Sequence, residues 1–345
     1  MEQSERLLLE QFSKYPKLQI QDIFKFIYQS AFGCEHMVAS LEKATDYIKQ
    51  EYNNGITQNE VEELDGDYCR VPLSYIDKGL KIETFGKLFY LSAKKEEAGQ
   101  ANLLKKIAVA QKLIKENKLP FHIEDFNKEV EKWKAQGYPA IHHSEVFRQK
   151  YTPAYRLISK KYIPFISLFI EIDKGRTKIA IEGGSGSGKS TLARIIADIY
   201  ICTVLHIDDF FLQPHQRTPE RLKEIGGNFD RERFLKEVLI PLSKGEAILY
   251  KPFDCSTITI QNGKKIEPQK LTVIEGAYSM HPDLASFYDF SVFLDITPET
   301  QRERILNRNG KNFAQRFFNE WIPLENKYFS HFNIKEKCDM VVTVK

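Results

Sequence analysis

The sequence has few cysteines and no long apolar run. Its five cysteines, Cys34, Cys69, Cys202, Cys255 and Cys338, are scattered without a CxxC pair, so neither a disulfide framework nor a zinc site is expected. No stretch of about 18 apolar residues is present, which excludes a membrane-spanning helix. The first residues carry charges on both sides of a short apolar run, unlike a signal peptide. We therefore expect a cytoplasmic protein with reduced thiols and no membrane insertion.

An excess of one charge is also absent. Lysine and arginine together number 50 and aspartate and glutamate 47, giving a formal net charge of +3, and the two signs are interleaved along the chain. A basic surface for nucleic acid is therefore not expected. The 345 residues suggest two domains, and the composition leaves homo-oligomerisation open.

Residues 1–161 form a mainly α-helical domain by their hydrophobic spacing. Apolar residues recur at helical intervals in four segments, and one segment is strand-like. The helical segments are Leu7–Phe12, Ile23–Tyr28, Leu41–Tyr52 and Ala101–Lys115, and the strand is Cys69–Ile76. We expect an accessory domain that dimerises, covers a substrate site or senses a ligand, although a separate enzyme domain stays open.

Two groups of potential metal ligands occur in this half. Gly33-Cys34-Glu35-His36 follows the helical segment Ile23–Ser30, and His142-His143 lies much later. A metal or thiol site is conceivable there, but the spacing matches no known ligand pattern. Ordinary core or surface use of these residues is the favoured interpretation.

Residues 162–345 have a different sequence pattern. After a predicted helix at residues 163–171, short apolar runs alternate with segments of helical spacing. This order predicts an α/β domain, in which helices flank a parallel sheet on both faces. The predicted strands are Lys178–Glu182, Thr203–Ile207, Leu271–Ile274, Phe290–Leu294 and Met340–Val344, and the main predicted helices are Thr191–Tyr200, Arg231–Leu242 and Pro298–Asn307.

A glycine-rich segment between the first strand and the first helix fits the pattern G-x-x-x-x-G-K-S. Its backbone N–H groups would cradle phosphates, aided by the start of the helix. Lys189 would reach the β and γ phosphates of ATP, and the Ser190 hydroxyl would bind Mg²⁺. The predicted nucleotide-binding residues are Gly183, Gly184, Ser185, Gly186, Ser187, Gly188, Lys189, Ser190 and Thr191.

Acidic residues close three of the later strands. Asp208 and Asp209 follow one strand, Glu275 ends another and Asp295 closes a third. The carboxyl ends of parallel strands form the site edge of such a sheet, so at least one of these acids should face the phosphates, and Glu275 is placed to hold the Mg²⁺ shell. A helix cap or an exposed strand end is the competing interpretation. Arg304 and Arg308 follow on one face of a predicted helix. They could stabilise the negative charge of the transferred phosphate, or they could simply form a solvent-exposed helix face.

The ordered set of motifs resembles the uridine kinase-like family, which includes phosphoribulokinase and bacterial pantothenate kinases. The resemblance covers about residues 175–345 and rests on GGSGSGKST, HIDDFF, Gly227–Asp230, Pro252–Asp254, IEG at 274–276 and Pro323–Tyr328. It implies that Asp208 is the catalytic base and contacts Mg²⁺ with Ser190 and Glu275. It implies catalytic roles for Lys189, Arg304 and Arg308, and a substrate pocket with Asp230 gripping a ribose beside Phe229, Phe211, Tyr250 and Phe253.

The sequence departs from the family where a uracil base would be recognised. Positions that carry Tyr, His and Arg in uridine-cytidine kinases hold Phe253, Ile258 and Ile260, and polar contacts supply most discrimination between substrates. We therefore expect an ATP- and Mg²⁺-dependent kinase that phosphorylates a small-molecule hydroxyl. The alternatives are a kinase of a non-nucleoside alcohol, of pantothenate, glycerate or sugar phosphate type, and a nucleotide-dependent regulator whose first half binds a partner.

Overall fold

The computed structural model of the chain describes residues 3–52, 58–93, 98–254 and 257–344, without the side chain of Glu35. Cys255 and that side chain, both considered above, lie outside the described residues. The chain divides into two compact units, Met1–Ile170 and Glu171–Lys345. The predicted domain boundary between residues 161 and 162 lies earlier in the chain and stays a prediction. No helix in the described ranges is long and apolar enough to cross a membrane.

The first unit is built mostly of amphipathic helices, as the hydrophobic spacing predicts. The helices are α1 (Gln3–Lys14), α2 (Ile20–Phe32), α3 (Leu41–Glu51), α4 (Ile82–Ser92), α5 (Gly99–Lys115), α6 (Ile123–Ala135) and α7 (Glu145–Tyr151), and α8 (Ile166–Asp173) spans the division between the units. Their apolar residues face inward; α2, for example, buries Ile23, Phe24, Phe26 and Ile27.

A small antiparallel sheet completes the first unit. It joins β1 (Glu62–Glu63), β2 (Tyr68–Pro72) and β3 (Tyr155–Ser159) in that order. The predicted strand Cys69–Ile76 is shorter in the structure, because Leu73–Tyr75 form a 3₁₀ turn after Pro72. The sequence pattern did not predict β3, which pairs with β2 from Tyr68 opposite Ser159 to Pro72 opposite Tyr155.

The second unit contains a five-stranded parallel sheet. Its strands are β4 (Lys178–Gly183), β5 (Cys202–His206), β10 (Leu271–Glu275), β11 (Phe290–Ile296) and β12 (Met340–Val344), in the order β12-β11-β4-β10-β5. The central strands are apolar because both of their faces are covered, and β10 is buried throughout. Two short antiparallel pairs join β6 (Ile248–Tyr250) to β9 (Lys264–Ile266), and β7 (Phe253–Asp254) to β8 (Thr259–Ile260). The predicted parallel α/β architecture is confirmed.

Two helical stretches of the second unit widen into a π-turn just before a proline. The predicted helix Arg231–Leu242 is a short α-helix, a π-segment at Leu235–Leu239 and a further helix containing Pro241. In the second stretch, Phe317–Trp321 is the π-segment and Pro323 follows it. A proline has no N–H to donate and its ring crowds the preceding turn, which accounts for the local widening.

The remaining helices flank this sheet. The predicted helix Pro298–Asn307 continues to Arg316, with a break at Gly310, whose φ is 70°. The helices are α9 (Lys189–Ile199), α10 (Pro219–Lys223), α11 (Arg231–Phe234), α12 (Ile240–Lys244), α13 (Pro298–Arg316), α14 (Ile322–Phe332) and α15 (Ile334–Lys337).

The end of α2 offers a matched test of packing in the first unit. Gly33 has a φ of +60°, and a Cβ there would lie 2.3 Å from the Tyr68 ring, whereas Gly137 has a φ of +78° with nothing within 4 Å. We expect Gly137→Ala to cost about 1–2 kcal/mol for its backbone conformation. Gly33→Ala should cost about 1–3 kcal/mol more, because its ψ of −133° lies outside the left-handed helical region and Tyr68 must also move. Urea unfolding of both variants measures the difference, and equal losses would contradict the packing argument.

Candidate active site

The glycine-rich loop joins the end of β4 to the start of α9. Gly183, Gly186 and Gly188 have φ values of 143°, 79° and 98°, and residues with a Cβ rarely adopt positive φ values of this kind. A Cβ at Gly183 would also lie 2.7 Å from the carbonyl oxygen of Leu294. The Lys189 ammonium donates to the carbonyl oxygens of Gly183 and Gly184 at 2.9 and 3.0 Å. The loop thus has the strand, the helix and the curled backbone that its sequence predicts.

Glu275 lies beside this loop because of the register of the sheet, in which it pairs with Ile181 of β4 and His206 of β5. Its Oε1 accepts a hydrogen bond from the Ser190 hydroxyl at 2.9 Å and contacts His206 Nδ1 at 2.6 Å. Burial raises the pKa of Glu275, but the hydrogen bond from His206 and the charge of Lys189 outweigh it, so the net pKa is lowered. The carboxylate is therefore ionised at neutral pH and adjacent to the loop.

Asp208 and Asp209 follow β5 and have different surroundings. Solvent reaches Asp208, yet desolvation by the surrounding protein raises the pKa of its carboxyl; Lys189 lowers that pKa, while Glu275 raises it. Asp209 instead accepts a hydrogen bond from the Tyr250 hydroxyl at 2.8 Å. Asp208 is thus the acid of this pair that shares the electrostatic environment of Lys189 and Glu275.

The predicted substrate residues lie on the connections that follow β5. Asp230 caps α11 and accepts hydrogen bonds from Gln216 Nε2 at 2.9 Å and Arg233 Nε at 3.3 Å. Phe229 is wholly buried. These contacts give both residues a role in the fold, whatever they bind.

Aromatic residues predicted for the same pocket are mostly core residues. Tyr250 and Phe253 are each 4% exposed, whereas Phe211 is partly exposed and forms a single β-bridge with Phe229. The Arg217 guanidinium lies 5.9 Å from the centre of the Phe253 ring. Phe211 is thus the predicted aromatic residue with surface left for a ligand.

The two predicted arginines of α13 point to different places. Arg304 Nη1 donates to the carbonyl oxygen of Gly186 at 3.2 Å, so its guanidinium lies against the phosphate loop. Arg308 donates to Asn309 and lies 5.5 Å from the centre of the Phe317 ring. The structure therefore brings Arg304 to the loop and leaves Arg308 away from it.

Sequence reasoning missed three residues that contact the loop or its acid from distant segments. Gln301 of α13 donates to the carbonyl oxygen of Ser185 at 2.8 Å. Glu325 of α14 accepts from the Ser185 N–H at 2.9 Å and from its hydroxyl at 2.6 Å. His206, which contacts Glu275, could have been found because it ends a predicted strand next to two acids. The contacts of Gln301 and Glu325 leave no local signal, since more than one hundred residues separate them from Ser185.

Glu182, the residue before the loop, is wholly buried. Its carboxylate accepts hydrogen bonds from the N–H groups of Gly183, Tyr278 and Met280 and from the Tyr328 hydroxyl, at 2.9–3.2 Å. Burial raises the pKa of Glu182 to about 7, although the N–H donors and Lys189 act in the opposite direction. One carboxyl group thus joins β4, the segment after β10 and α14.

The loop and its neighbours fit a magnesium nucleotide. The Ser187 hydroxyl is buried and has no hydrogen-bond partner among the described residues, which leaves a polar atom of the loop for a ligand. No group of three or more His, Cys, Asp or Glu side chains in the described ranges could hold a metal alone. Mg²⁺ in such sites takes one or two protein oxygens and completes its shell with phosphates and water, for which Ser190, Glu275 and Asp208 suffice.

Three candidate ligands of the first unit, Cys34, His36 and His143, make contacts within the protein. The Cys34 thiol is fully buried, contacts the carbonyl oxygen of Leu157 at 3.7 Å, and its pKa is raised by burial to about 12. The His36 ring lies edge-on to Tyr28, and His143 contacts Asp22 at 3.0 Å. These side chains form no metal cluster within the described part of the unit.

A parallel sheet with this loop, lysine and strand-end acids is the arrangement of a P-loop nucleotide-binding domain in the second unit. Residues 178–313 match the family model of the Phosphoribulokinase / Uridine kinase family, which confirms the resemblance inferred from the motifs.

Individual relatives match part of the chain. A phosphoribulokinase from Synechocystis is 30% identical over 131 residues, covering 36% of this chain and 39% of that protein. A uridine kinase from Geobacillus kaustophilus is 28% identical over 150 residues, covering 40% of this chain and 70% of the relative. The solved structure of a possible uridine kinase from Bacillus stearothermophilus is 21% identical, with a TM-score of 0.38, and the match covers 49% of this chain and 89% of that one.

The buried Glu182 carboxyl makes the stability of the second unit depend on pH. Its pKa is about 7 in the fold against an ordinary 4.5, so between these pH values the folded state keeps a proton that the unfolded chain has released. The free energy of unfolding should therefore fall by about 3 kcal/mol as pH rises through this window.

Urea unfolding at pH 5 and pH 8 measures this effect when the wild-type protein is compared with the Glu182→Gln variant, whose side chain does not titrate. We expect the wild-type protein to lose more stability between the two pH values than the variant does. Glu246→Gln, at an exposed position, is the control and should keep the wild-type dependence. If Glu182→Gln keeps it too, the carboxyl is not the titrating group.

Proposed function

We propose that the second unit is an ATP-dependent kinase that transfers the γ-phosphate of MgATP to the hydroxyl group of a small molecule. The observation that carries the proposal is the meeting of Lys189, Ser190, Glu275 and Asp208 at one end of the sheet. Ser190 donates to Glu275 at 2.9 Å, and the charges of both Lys189 and Glu275 act on the pKa of Asp208. The family match over residues 178–313 supports the same class of reaction.

In this proposal, bound MgATP supplies the phosphoryl group and its electrophilic phosphorus. The N–H groups of the loop and the Lys189 ammonium bind phosphate oxygens and stabilise negative charge on them. Ser190, Glu275 and Asp208 are the oxygen ligands available to the metal. Asp208 also accepts the proton of the acceptor hydroxyl, because it is the solvent-accessible carboxylate near Lys189. Most of the acceleration would come from positioning and electrostatics.

Arg304 is the candidate cation of α13 for the transferred phosphate. Its guanidinium already lies against the loop at Gly186, so a short movement of the side chain would suffice. Arg308 would have to leave the Phe317 ring, whose centre lies 5.5 Å from its guanidinium. We therefore propose that Arg304 stabilises the negative charge of the transferred phosphate and that Arg308 contributes to packing.

The acceptor is best described as a small alcohol. The hairpin formed by β7 and β8 presents Phe253 opposite Ile260, and Ile258 is exposed, so these positions offer no side-chain hydrogen bond to a base. Asp230 is already engaged by Gln216 and Arg233. A nucleoside acceptor would thus lack two of the contacts that the family resemblance implies. Alcohols of pantothenate, glycerate or sugar phosphate type are the favoured alternative class.

A nucleotide-dependent regulator is the second candidate function. The engagement of Asp230 and the burial of Phe229 favour it, because both residues then serve the fold and not a substrate. A regulator would hydrolyse ATP without an acceptor, and a partner protein would accelerate the hydrolysis.

An acceptor panel tests the proposed function directly. ADP formation is followed with MgATP alone and with nucleosides, pantothenate, glycerate and sugar phosphates. We expect one class of alcohol to raise ADP formation at least tenfold, with one phosphorylated product per ADP detected by mass spectrometry. If no acceptor changes ADP formation and a protein partner accelerates it, the result would support the nucleotide-dependent regulator instead.

Asp208 and its neighbour Asp209 provide a matched pair for the assignment of the base. With the acceptor found in the panel, Asp208→Asn should lower kcat by about 10²–10⁴-fold, because the amide cannot take the proton. Asp209→Asn keeps an acceptor for the Tyr250 hydroxyl and should lower kcat less than tenfold. Steady-state kinetics with a nucleotide-binding assay measure both effects, and near-normal turnover of Asp208→Asn would remove Asp208 from the chemistry.

A further inference from the structure

A carboxylate from α14 binds to the phosphate loop of the second unit. Glu325 is 5% exposed. Its Oε2 accepts a hydrogen bond from the Ser185 N–H at 2.9 Å, and its Oε1 accepts one from the Ser185 hydroxyl at 2.6 Å. A Cβ at Gly184 would lie 3.6 Å from the same Oε2. Because the backbone N–H groups of such a loop bind phosphate oxygens, Glu325 holds a group that suits an anionic ligand.

The helix that carries Glu325 is fixed to the rest of the unit. One turn further along α14, the Tyr328 hydroxyl donates to Glu182 Oε2 at 3.1 Å. The next ring, Phe329, lies edge-on to the Phe293 ring of β11, with 5.2 Å between the ring centres. Residues three and four positions apart share a face of a helix. Both contacts therefore hold the face of α14 that carries Glu325 against the loop and the sheet.

Glu325 adds negative charge where other acids of the site already lie. Desolvation raises the pKa of the Asp208 carboxyl, and the charge of Lys189 lowers it. The charges of Glu275 and Glu325 raise the same pKa. Three acids thus share one electrostatic environment with the Lys189 ammonium. Asp208 and Glu275 are proposed above as ligands of Mg²⁺, whereas Glu325 is bound to the loop itself.

Negative charge at the loop affects the two forms of a nucleotide differently. A free triphosphate brings its full negative charge to the loop, and each nearby carboxylate opposes it. Mg²⁺ neutralises part of that charge and takes oxygen ligands from the protein, so the magnesium complex is repelled less. A carboxylate beside the loop therefore favours the magnesium complex over the free nucleotide.

We propose that Glu325 is a specificity-determining residue, which makes the phosphate loop select the magnesium complex of the nucleotide over the free nucleotide. Its carboxylate holds the Ser185 N–H and hydroxyl, and a triphosphate must either displace it or bind beside its charge. The magnesium complex meets less repulsion there than the free triphosphate. This inference rests on the nucleotide binding of the proposed function, and it concerns a residue to which the sequence motifs assign no role.

A structural clasp is the competing interpretation, in which Glu325 holds Ser185 permanently and fixes the shape of the loop. Glycines with positive φ and the hydrogen bonds from Lys189 already shape the loop, which favours the proposed role. The two interpretations differ in sign. Without the charge of Glu325, a structural clasp would leave a weaker site, whereas the proposal requires a stronger site for free nucleotide. Glu325→Gln separates them, because its amide oxygen can still accept a hydrogen bond from Ser185.

Nucleotide binding to the full-length chain tests the proposal. Isothermal titration calorimetry gives the Kd of AMP-PNP, an ATP analogue that resists hydrolysis, with excess Mg²⁺ and with EDTA. We expect the wild-type protein to bind the magnesium complex at least tenfold more tightly than free AMP-PNP. Glu325→Gln should bind free AMP-PNP about tenfold more tightly than the wild type does, because one opposing charge is gone. Its affinity for the magnesium complex should change much less.

Glu320→Gln is the matched control. Glu320 is exposed and pairs with Arg316 at 3.1 Å, so this variant should keep the wild-type affinities for both forms. Glu325→Ala is a second variant and should shift the preference in the same direction as Glu325→Gln. Circular dichroism confirms that each variant is folded. The wild-type preference needs no substitution, and equal affinity of the wild type for the two forms would overturn the proposal.

The outcomes separate this inference from the proposed function. If Glu325→Gln binds nucleotide with the wild-type preference for the magnesium complex, Glu325 does not set the selection. Weaker binding of both forms by this variant would show a structural clasp. Either result overturns the inference and leaves the kinase proposal standing. If neither the wild type nor the variant binds AMP-PNP in either form, the inference and the proposed function are overturned together.

Discussion

The Glu182 carboxylate accepts hydrogen bonds from three backbone N–H groups and from the Tyr328 hydroxyl in the interior of the second unit. These donors belong to the phosphate loop, to the segment after β10 and to α14, which are distant from one another in sequence. A buried polar network is stable only when its members are satisfied, so the position of each segment limits the other two. The loop carrying Lys189 and the strand carrying Glu275 are thereby held in one arrangement.

The last helices of the unit also act on the same loop. Gln301 and Arg304 of α13 donate to loop carbonyl oxygens, and Glu325 of α14 accepts from Ser185. A carboxylate at a loop that otherwise offers N–H groups and a lysine lowers the local positive potential. Charge on Glu325 therefore opposes a bound phosphate near Ser185, while Arg304 favours it. The two helices provide opposing electrostatic effects at one site.

Sequence patterns predicted the part of the structure that local chemistry determines. The loop, the strand runs and the acids at strand ends are local signals, because a parallel sheet brings its carboxyl ends together. The π-segments before Pro241 and Pro323 were not predicted, although their cause lies in the sequence. β3 and the contacts of Glu182 and Glu325 were not predictable from the sequence, because their partners are far away in the chain. The resemblance placed Asp230 in a substrate pocket, and only the structure shows its contacts with Gln216 and Arg233.

Those contacts bear on the acceptor. A ribose hydroxyl that bound Asp230 would compete with Gln216 and Arg233, and a hydrogen bond to a charged group contributes about 1.5–3 kcal/mol. Asp209 presents the same difficulty, since the Tyr250 hydroxyl already donates to it. Asp208 is accessible to solvent and has no such side-chain hydrogen bond among the described residues. An acceptor that needs one carboxylate for its reacting hydroxyl can bind without disturbing these pairs, whereas a nucleoside gripped through its ribose would have to break them. For the kinase proposed above, this difference favours a small non-nucleoside alcohol as the acceptor.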